Sequence, residues 1–145
     1  MGQRPRRSEP GLEQGLALVQ YAVSQIAQQG GALSIGALSD QIGISHKHLI
    51  TQFTQLVGGT PKELARLYRM QHALDSVDAS LDPGAARPLT WARVAQQAGY
   101  YDEAHFDRDF RALTSQTPST YLRALRQVHA EHPDIARALK FLPAE

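Results

Sequence analysis

Residues 38–45 of this chain read LSDQIGIS, and residues 94–101 read VAQQAGYY. The two glycines, at positions 43 and 99, are 56 positions apart, and the apolar residues that precede them repeat at the same offset. After each glycine comes a run with regularly spaced apolar residues and then a Thr-Pro pair, at 60–61 and at 117–118. Each copy predicts a helix, a tight glycine turn and a second helix that buries one face.

Two helices joined by a tight turn form the helix-turn-helix pattern, which lays its second helix in a DNA major groove. Two copies in one chain can contact two groove segments without a dimer. We therefore expect the helices at residues 46–57 and 102–113 to be recognition helices. They should lie side by side, about 34 Å apart, in successive major-groove segments.

Composition excludes several other classes of protein. No cysteine is present, which excludes disulfide frameworks, thiolate zinc sites and cysteine nucleophiles. No apolar run approaches the roughly 20 residues of a membrane span, and the polar N-terminus is not a secretory signal. Because the sequence shows no nucleophile–base pair, phosphate loop or metal cluster, we expect no enzymatic activity, no cofactor and no metal. We expect a cytoplasmic protein that associates with the nucleoid.

The net charge is small for a protein that binds nucleic acid. It is +1 over 145 residues, and residues 90–126 carry five arginines against four acidic residues. Phosphate attraction should therefore be modest, and sequence-independent DNA binding should be weak and salt-sensitive.

The organisation of the chain follows from its caps and breakers. No segment shows the alternation of a strand, so we expect an all-α fold. Gly43 should adopt a positive φ, Ser34, Ser45 and Thr90 should cap helices, and Thr60 should form a capping box with Glu63. The expected segments are a disordered leader at 1–11, a first unit with a linker helix at 12–76, a loop at 77–89, a second unit at 90–128, and a tail at 129–145 with a candidate short helix at 134–142.

The second helix of each unit must bury one face and expose the other. Apolar residues at steps of four and three mark the buried faces, and aromatic residues nearby should pack against them. The expected buried positions are Leu49, Phe53 and Leu56 in the first unit, and Phe106, Phe110 and Leu113 in the second, with Trp91, Tyr100 and Tyr121 packing at the core or its rim.

Base edges come within reach of the N-terminal half of a recognition helix. Arg108 is the strongest base-reading residue, because a guanidinium can fork onto guanine O6 and N7. Lys47 can contact guanine or phosphate, and the methyl groups of Ile50 and Thr51 can pack on a thymine methyl. The full set of expected base contacts is Lys47, Ile50, Thr51, Glu103, Ala104, His105 and Arg108.

Phosphate contacts should come from cations and from the backbone amides at helix N-termini. We expect Asp107 and Asp109 either to hold Arg108 and Arg111 in place or to face away from the DNA. The expected phosphate contacts are Ser45, His46, Arg66, Arg69, Arg111, Thr117 and Ser119.

Two alternatives stay open at this point. Helix-turn-helix arrangements also occur in protein-interaction modules with little DNA affinity, and the near-neutral charge and the acidic residues of the second recognition helix motivate that possibility. The apolar stripe from Leu12 to Ile26 is either the first core helix or partly a dimer seam. We favour the core, because the first unit needs a third helix to close it.

Residues 38–74 and 91–121 together resemble the DNA-binding domain of AraC/XylS-type transcriptional regulators. The second repeat is the more specific part, with its Ala98-Gly99-Tyr100 turn, His105-Phe106, Phe110, Thr117-Pro118 and Tyr121. The resemblance implies seven helices, two helix-turn-helix units joined by the helix at 61–76, and base contacts at the positions named above.

The resemblance also implies a wider context. The module usually follows an effector-binding or dimerisation domain, so the chain is either the C-terminal part of a longer regulator or a stand-alone member, with RNA polymerase as a further candidate partner. Four features depart from the family pattern. The connector at 78–89 is long, Tyr101 stands where the family often has a capping serine, the sixth helix is rich in acidic residues, and the residues after Arg126 have no clear counterpart.

Overall fold

The computed structural model describes residues 10–85 and 87–135, and all of the regular structure in them is helical. The all-α prediction is confirmed. The chain divides into two compact units after Gln71. The helices are α1 (Pro10–Gln28), α2 (Ile35–Ile42), α3 (His46–Val57), α4 (Pro61–Ser80), α5 (Trp91–Gln97), α6 (Glu103–Thr114) and α7 (Pro118–Glu131).

The internal repeat of the sequence reappears in the backbone. Gly43 and Gly99 have φ values of 84° and 88°, so the predicted left-handed turn is present in both copies. Beyond each glycine the next amide bonds back five residues: the N–H of Ile44 donates to the carbonyl of Ser39 at 3.1 Å, and that of Tyr100 to the carbonyl of Ala95 at 3.0 Å. Both bonds are those of a Schellman ending, and they recur at the offset seen in the sequence.

The hydroxyl residues before the helices act as the sequence predicts. The side chains of Ser34, Ser45 and Thr90 accept hydrogen bonds from the backbone N–H three residues further on. Thr60 and Glu63 form the reciprocal pair, with the Glu63 N–H donating to Thr60 Oγ1 at 3.1 Å and the Thr60 N–H donating to Glu63 Oε2 at 3.3 Å. These caps determine where the helices begin.

The first unit packs α1, α2, α3 and the start of α4 around one core. Its buried residues are Val19, Ala22, Ile26, Leu38, Leu49, Phe53 and Ala65. The stripe on α1 is therefore core along its second half, as we favoured. Leu12 and Leu16, in the first half, remain 48% and 43% exposed.

Gly31 brings the turn after α1 against the backbone of α4. It is buried, with a φ of 75°, and a Cβ at this position would overlap the carbonyl oxygen of Ala65. Arg69, one turn further along α4, donates from Nη2 to the carbonyl of Gly31 at 3.2 Å. The close approach thus needs a residue without a side chain.

The second unit is built around aromatic rings. Trp91 stacks on Phe106 with ring centroids 5.9 Å apart, and Tyr100 meets the same ring edge-on at 5.3 Å. Phe110 continues the row to Tyr121 at 5.6 Å. The expected packing of Trp91, Tyr100 and Tyr121 is confirmed.

Several boundaries differ from expectation, including α6, which is shifted by one residue from the expected 102–113. α1 begins at Pro10, within the expected leader, whose residues 1–9 lie outside the described range. α4 continues to Ser80, because Val77 is buried and Asp78 Oδ1 lies 3.0 Å from His129 Nε2 of α7. α7 also extends beyond the expected second unit, to Glu131. Of the candidate terminal helix, residues 134–135 are helical and the rest lie outside the described range.

No helix in the described part of the chain combines the length and the apolar character that a membrane crossing requires.

Replacing Gly31 by alanine tests the close approach of the turn to α4. We expect Gly31→Ala to lower the free energy of unfolding by about 3 kcal/mol or more, because strain at positive φ adds to the clash with Ala65. Gly43→Ala is the matched control: its φ of 84° is equally strained, but a Cβ there meets nothing within 4 Å. It should cost about 1–2 kcal/mol. Urea unfolding measures both, and equal losses would contradict the close approach.

Tyr121 should make the second unit sensitive to alkali. Burial, followed by the charges of Asp78 and Asp75, raises the pKa of Tyr121 above its ordinary value. A raised folded pKa means that this contribution to stability is complete below about pH 10 and is lost as the pH rises through the folded pKa. We expect Tyr121→Phe to lose less stability than wild type between about pH 9 and 11 in urea titrations. Tyr101→Phe, which removes a phenol that is 92% exposed, should follow the wild-type profile.

Candidate nucleic-acid interface

The first recognition helix, α3, separates buried from exposed residues as its periodicity predicts. Leu49 and Phe53 are fully buried, whereas Lys47 and Thr51 are exposed and Ile50 is half-buried. Ser45 caps the helix by accepting from the N–H of His48 at 3.0 Å. Lys47 and Thr51 therefore lie away from the core contacts of α3, and Ile50 lies at the edge between its buried and exposed faces.

The second recognition helix, α6, is capped by Asp102 and begins one residue after it. Asp102 Oδ1 accepts from the N–H of His105 at 2.7 Å. Tyr101 occupies the position at which the family often has a capping serine, and the next residue provides the cap instead. Tyr101 instead projects from the turn and is 92% exposed.

His105 is held in one orientation by the turn before α6. Its ring lies edge-on to Tyr100 with centroids 5.1 Å apart, and its Nδ1 accepts from the N–H of Tyr101 at 3.4 Å. In the neutral ring this contact places the proton on Nε2, which then acts as a donor. His105 is half-buried, whereas Glu103, Ala104 and Arg108 are exposed.

Three consecutive charged residues of α6 have different surroundings. Arg108 is exposed, and among the residues that the structure describes none forms an ion pair with it. Asp107 accepts from Arg111 Nε at 2.9 Å, one helical turn away, so the expected support of Arg111 is confirmed. Asp109 is buried and its Oδ2 accepts from the hydroxyl of Tyr100 at 3.0 Å, so it faces inwards, which agrees with the second of the two expectations.

A concave surface that encloses a volume of about 480 Å³ lies where α6 meets the start of α7. It brings together five of the residues expected at the DNA interface: Glu103, Ala104, Arg111, Thr117 and Ser119. Thr117 caps α7, and its hydroxyl oxygen accepts from the N–H of Thr120 at 3.1 Å. His105 and Arg108 do not line this surface.

The two arginines of α4 have surroundings that the sequence did not show. Both are half-buried, and the guanidinium of Arg69 bonds to the turn at Gly31. This hydrogen bond uses an N–H group of the Arg69 guanidinium within the first unit. Arg69 thus has a structural role in the first unit, and its expected phosphate contact stays a prediction.

Sequence reasoning missed the roles of Asp102, Tyr101 and the Tyr100–Asp109 pair. The rule for capping residues favours aspartate as strongly as serine, so Asp102 was within reach of the sequence. The burial of Asp109 was not, because it depends on how the turn folds back onto α6.

The helix-turn-helix domain family matches this chain over residues 38–124, which is more than half of its 145 residues. The chain belongs to the AraC-type helix-turn-helix domain family. The AraC-type match starts in α2 and ends in α7, so it includes both glycine turns and both recognition helices.

Similar proteins agree with this membership. An uncharacterized helix-turn-helix-type transcriptional regulator of Staphylococcus aureus is 32% identical over 89 residues, which make up 61% of this chain and only 11% of that protein. The structure of a probable AraC family transcriptional regulator from Rhodopseudomonas palustris has a TM-score of 0.62, with 24% identity over 75% of this chain and 97% of that one.

The DNA-binding domain of AdpA, a global transcriptional factor solved in complex with a target DNA, is also similar. Its TM-score is 0.60, with 17% identity over 82% of this chain and 96% of that one. At these identities the solved structures show that the AraC-type fold is shared.

The Tyr100–Asp109 hydrogen bond should stabilise the second unit. Tyr100→Phe keeps the ring but removes a donor from a buried carboxylate, so we expect it to lower the free energy of unfolding by about 1–3 kcal/mol. Tyr101→Phe removes the same hydroxyl from the neighbouring exposed residue and should change stability by less than about 0.5 kcal/mol. Thermal and urea unfolding measure both variants, and a Tyr100→Phe variant as stable as wild type would contradict a stabilising role for this hydrogen bond.

Proposed function

We propose that this chain is a sequence-specific, double-stranded DNA-binding module of a bacterial transcription regulator. The observation that carries the proposal is that α3 and α6 each bury an apolar face containing phenylalanine, while most of the expected base-contacting residues are exposed. The AraC-type family is one of DNA-binding regulator domains and not a class of enzymes. We expect each recognition helix to enter one of two successive major-groove segments.

In the first unit, Lys47 and Thr51 are the proposed base contacts that project most freely. Lys47 supplies a positive point charge for guanine or phosphate, and the methyl of Thr51 fits a thymine methyl. Ile50 is half-buried, so its exposed portion is the part available to a base. The N-terminal turn of α3, with Ser45 and His46, offers amides to a phosphate.

In the second unit, Arg108 is the proposed main base contact. It is exposed on the N-terminal half of α6, and its guanidinium can bond guanine O6 and N7 together. His105 adds a donor at Nε2, which suits an acceptor such as guanine N7. Glu103 can accept from a cytosine amine, and Ala104 is small enough to let a base edge approach.

Phosphate contacts are proposed for the residues beside these helices. Arg111, Thr117 and Ser119 share the concave surface at the start of α7, where the first turn of that helix and a cation are close together. In the first unit Arg66 on α4 is retained as a proposed phosphate contact.

The wider context is also a proposal. The chain spans 11% of the Staphylococcus aureus relative, so a regulator of this kind can include a separate effector-binding or dimerisation domain. RNA polymerase is a further proposed partner. Binding to the chromosome would place the protein in the cytoplasm, associated with the nucleoid.

Selection of bound duplexes from a random pool tests the proposed function. We expect a site with two conserved segments about 10 base pairs apart, one for each recognition helix. Mobility shifts at low salt then compare the selected duplex with a scrambled one. Absence of any shift at micromolar protein would favour a protein-interaction module and end the proposal.

Arg108→Ala tests the main base contact. It should weaken binding to the selected duplex by about 1–3 kcal/mol and relax the preference at one base position. Arg123→Ala is the matched control, because Arg123 is an exposed arginine of α7 outside the proposed contacts. Anisotropy titrations with single-base variants of the site measure both effects. An equal loss on every sequence would move Arg108 to the phosphate contacts.

A further inference from the structure

We propose that Asp107 withholds Arg111 from DNA until α6 is held in its groove by base contacts, so that Arg111 strengthens specific binding more than non-specific binding. The inference rests on the proposed function, and it assigns Asp107 a role in specificity. It starts from the 2.9 Å contact between Asp107 Oδ2 and Arg111 Nε on the surface of α6.

Folding gives little reason for this ion pair. The Asp107 and Arg111 side chains are 38% and 58% exposed, and an exposed pair at this spacing on a helix contributes little to stability. The buried carboxylate of the same helix, on Asp109, is bonded to Tyr100 instead. The Asp107–Arg111 pair therefore mainly changes the charge that the surface presents.

The position of the pair decides which ligand it affects. Both side chains line the concave surface that also contains Thr117 and Ser119, where the N-terminus of α7 is open to an anion. A phosphate that approaches meets a cation whose charge is already neutralised by Asp107. The phosphate must displace the Asp107 carboxylate, or bind beside it against its repulsion, before it gains the full attraction of Arg111.

Arg108 provides the internal comparison. It lies on the same helix and is exposed, and no described residue forms an ion pair with it. The base-reading arginine is thus available at first encounter, whereas the phosphate-binding arginine is restrained. Sequence-independent binding depends on phosphate contacts alone, so it loses the contribution of Arg111. In a specific complex, base contacts bring α6 close enough for the phosphate to displace Asp107.

Asp107→Asn tests the restraint on random-sequence duplexes. Releasing Arg111 adds up to one phosphate contact, so we expect affinity at about 0.1 M salt to rise about five- to tenfold and the slope of log K against log salt to steepen by up to about 0.9. The gain on the selected duplex should be smaller, so the ratio of specific to non-specific affinity should fall. Asp107→Glu, which can keep the ion pair, should resemble wild type.

Two further variants show whether the effect passes through Arg111. Arg111→Gln should weaken binding of the wild-type background to the selected duplex but change its affinity for random duplexes by less than about twofold. In the Asp107→Asn background it should cancel the gain on random duplexes. Asp40→Asn removes the same charge from an exposed position of α2 in the first unit, and should produce less than half of the Asp107→Asn gain.

The outcomes separate this inference from the proposed function. If wild type prefers the selected duplex but Asp107→Asn does not gain on random duplexes, or gains equally with and without Arg111, the inference is wrong and the proposed function stands. If neither wild type nor any variant binds a duplex, the proposed function fails, and this inference fails with it.

Discussion

Both units of this protein depend on a backbone conformation that glycine adopts without strain. At Gly43 and Gly99 the chain takes positive φ values of 84° and 88°, which a Cβ disfavours. In each unit the glycine ends the first helix and lets the following N–H bond to the carbonyl five residues back, which fixes the direction in which the chain continues. Because the direction is set there, the second helix of each unit can bury its aromatic residues while its opposite face stays exposed.

That division explains how an acidic helix can belong to a DNA-binding module. Successive residues of a helix point about 100° apart, so Asp107, Arg108 and Asp109 face three different environments. Asp109 is buried and bonded to Tyr100, Arg108 is exposed, and Asp107 neutralises Arg111. The net charge of the helix is therefore a poor guide to the charge that it presents to a ligand.

Much of the fold was predictable because its signals are local. Ser34, Ser45 and Thr90 cap the helices that they precede, and the start of α4 at Pro61 follows from the Thr60–Glu63 box. The buried faces of α3 and α6 follow from apolar spacing. The extra turn of α4 was not predictable, because Asp82-Pro83-Gly84 nearby favours a loop and the helix extends through Val77 and Asp78 only by packing against the rest of its unit.

The sequence by itself determined the helix order, the two glycine turns, the caps and the buried face of each recognition helix, because all of these depend on neighbours within about five positions. The tertiary structure alone decided which polar residues face inwards. Arg69 bonds to Gly31, 38 positions away, and Asp109 becomes buried only when the turn carrying Tyr100 folds over it. Such partners are chosen by packing, since a buried polar group must bond to whatever the fold brings within reach.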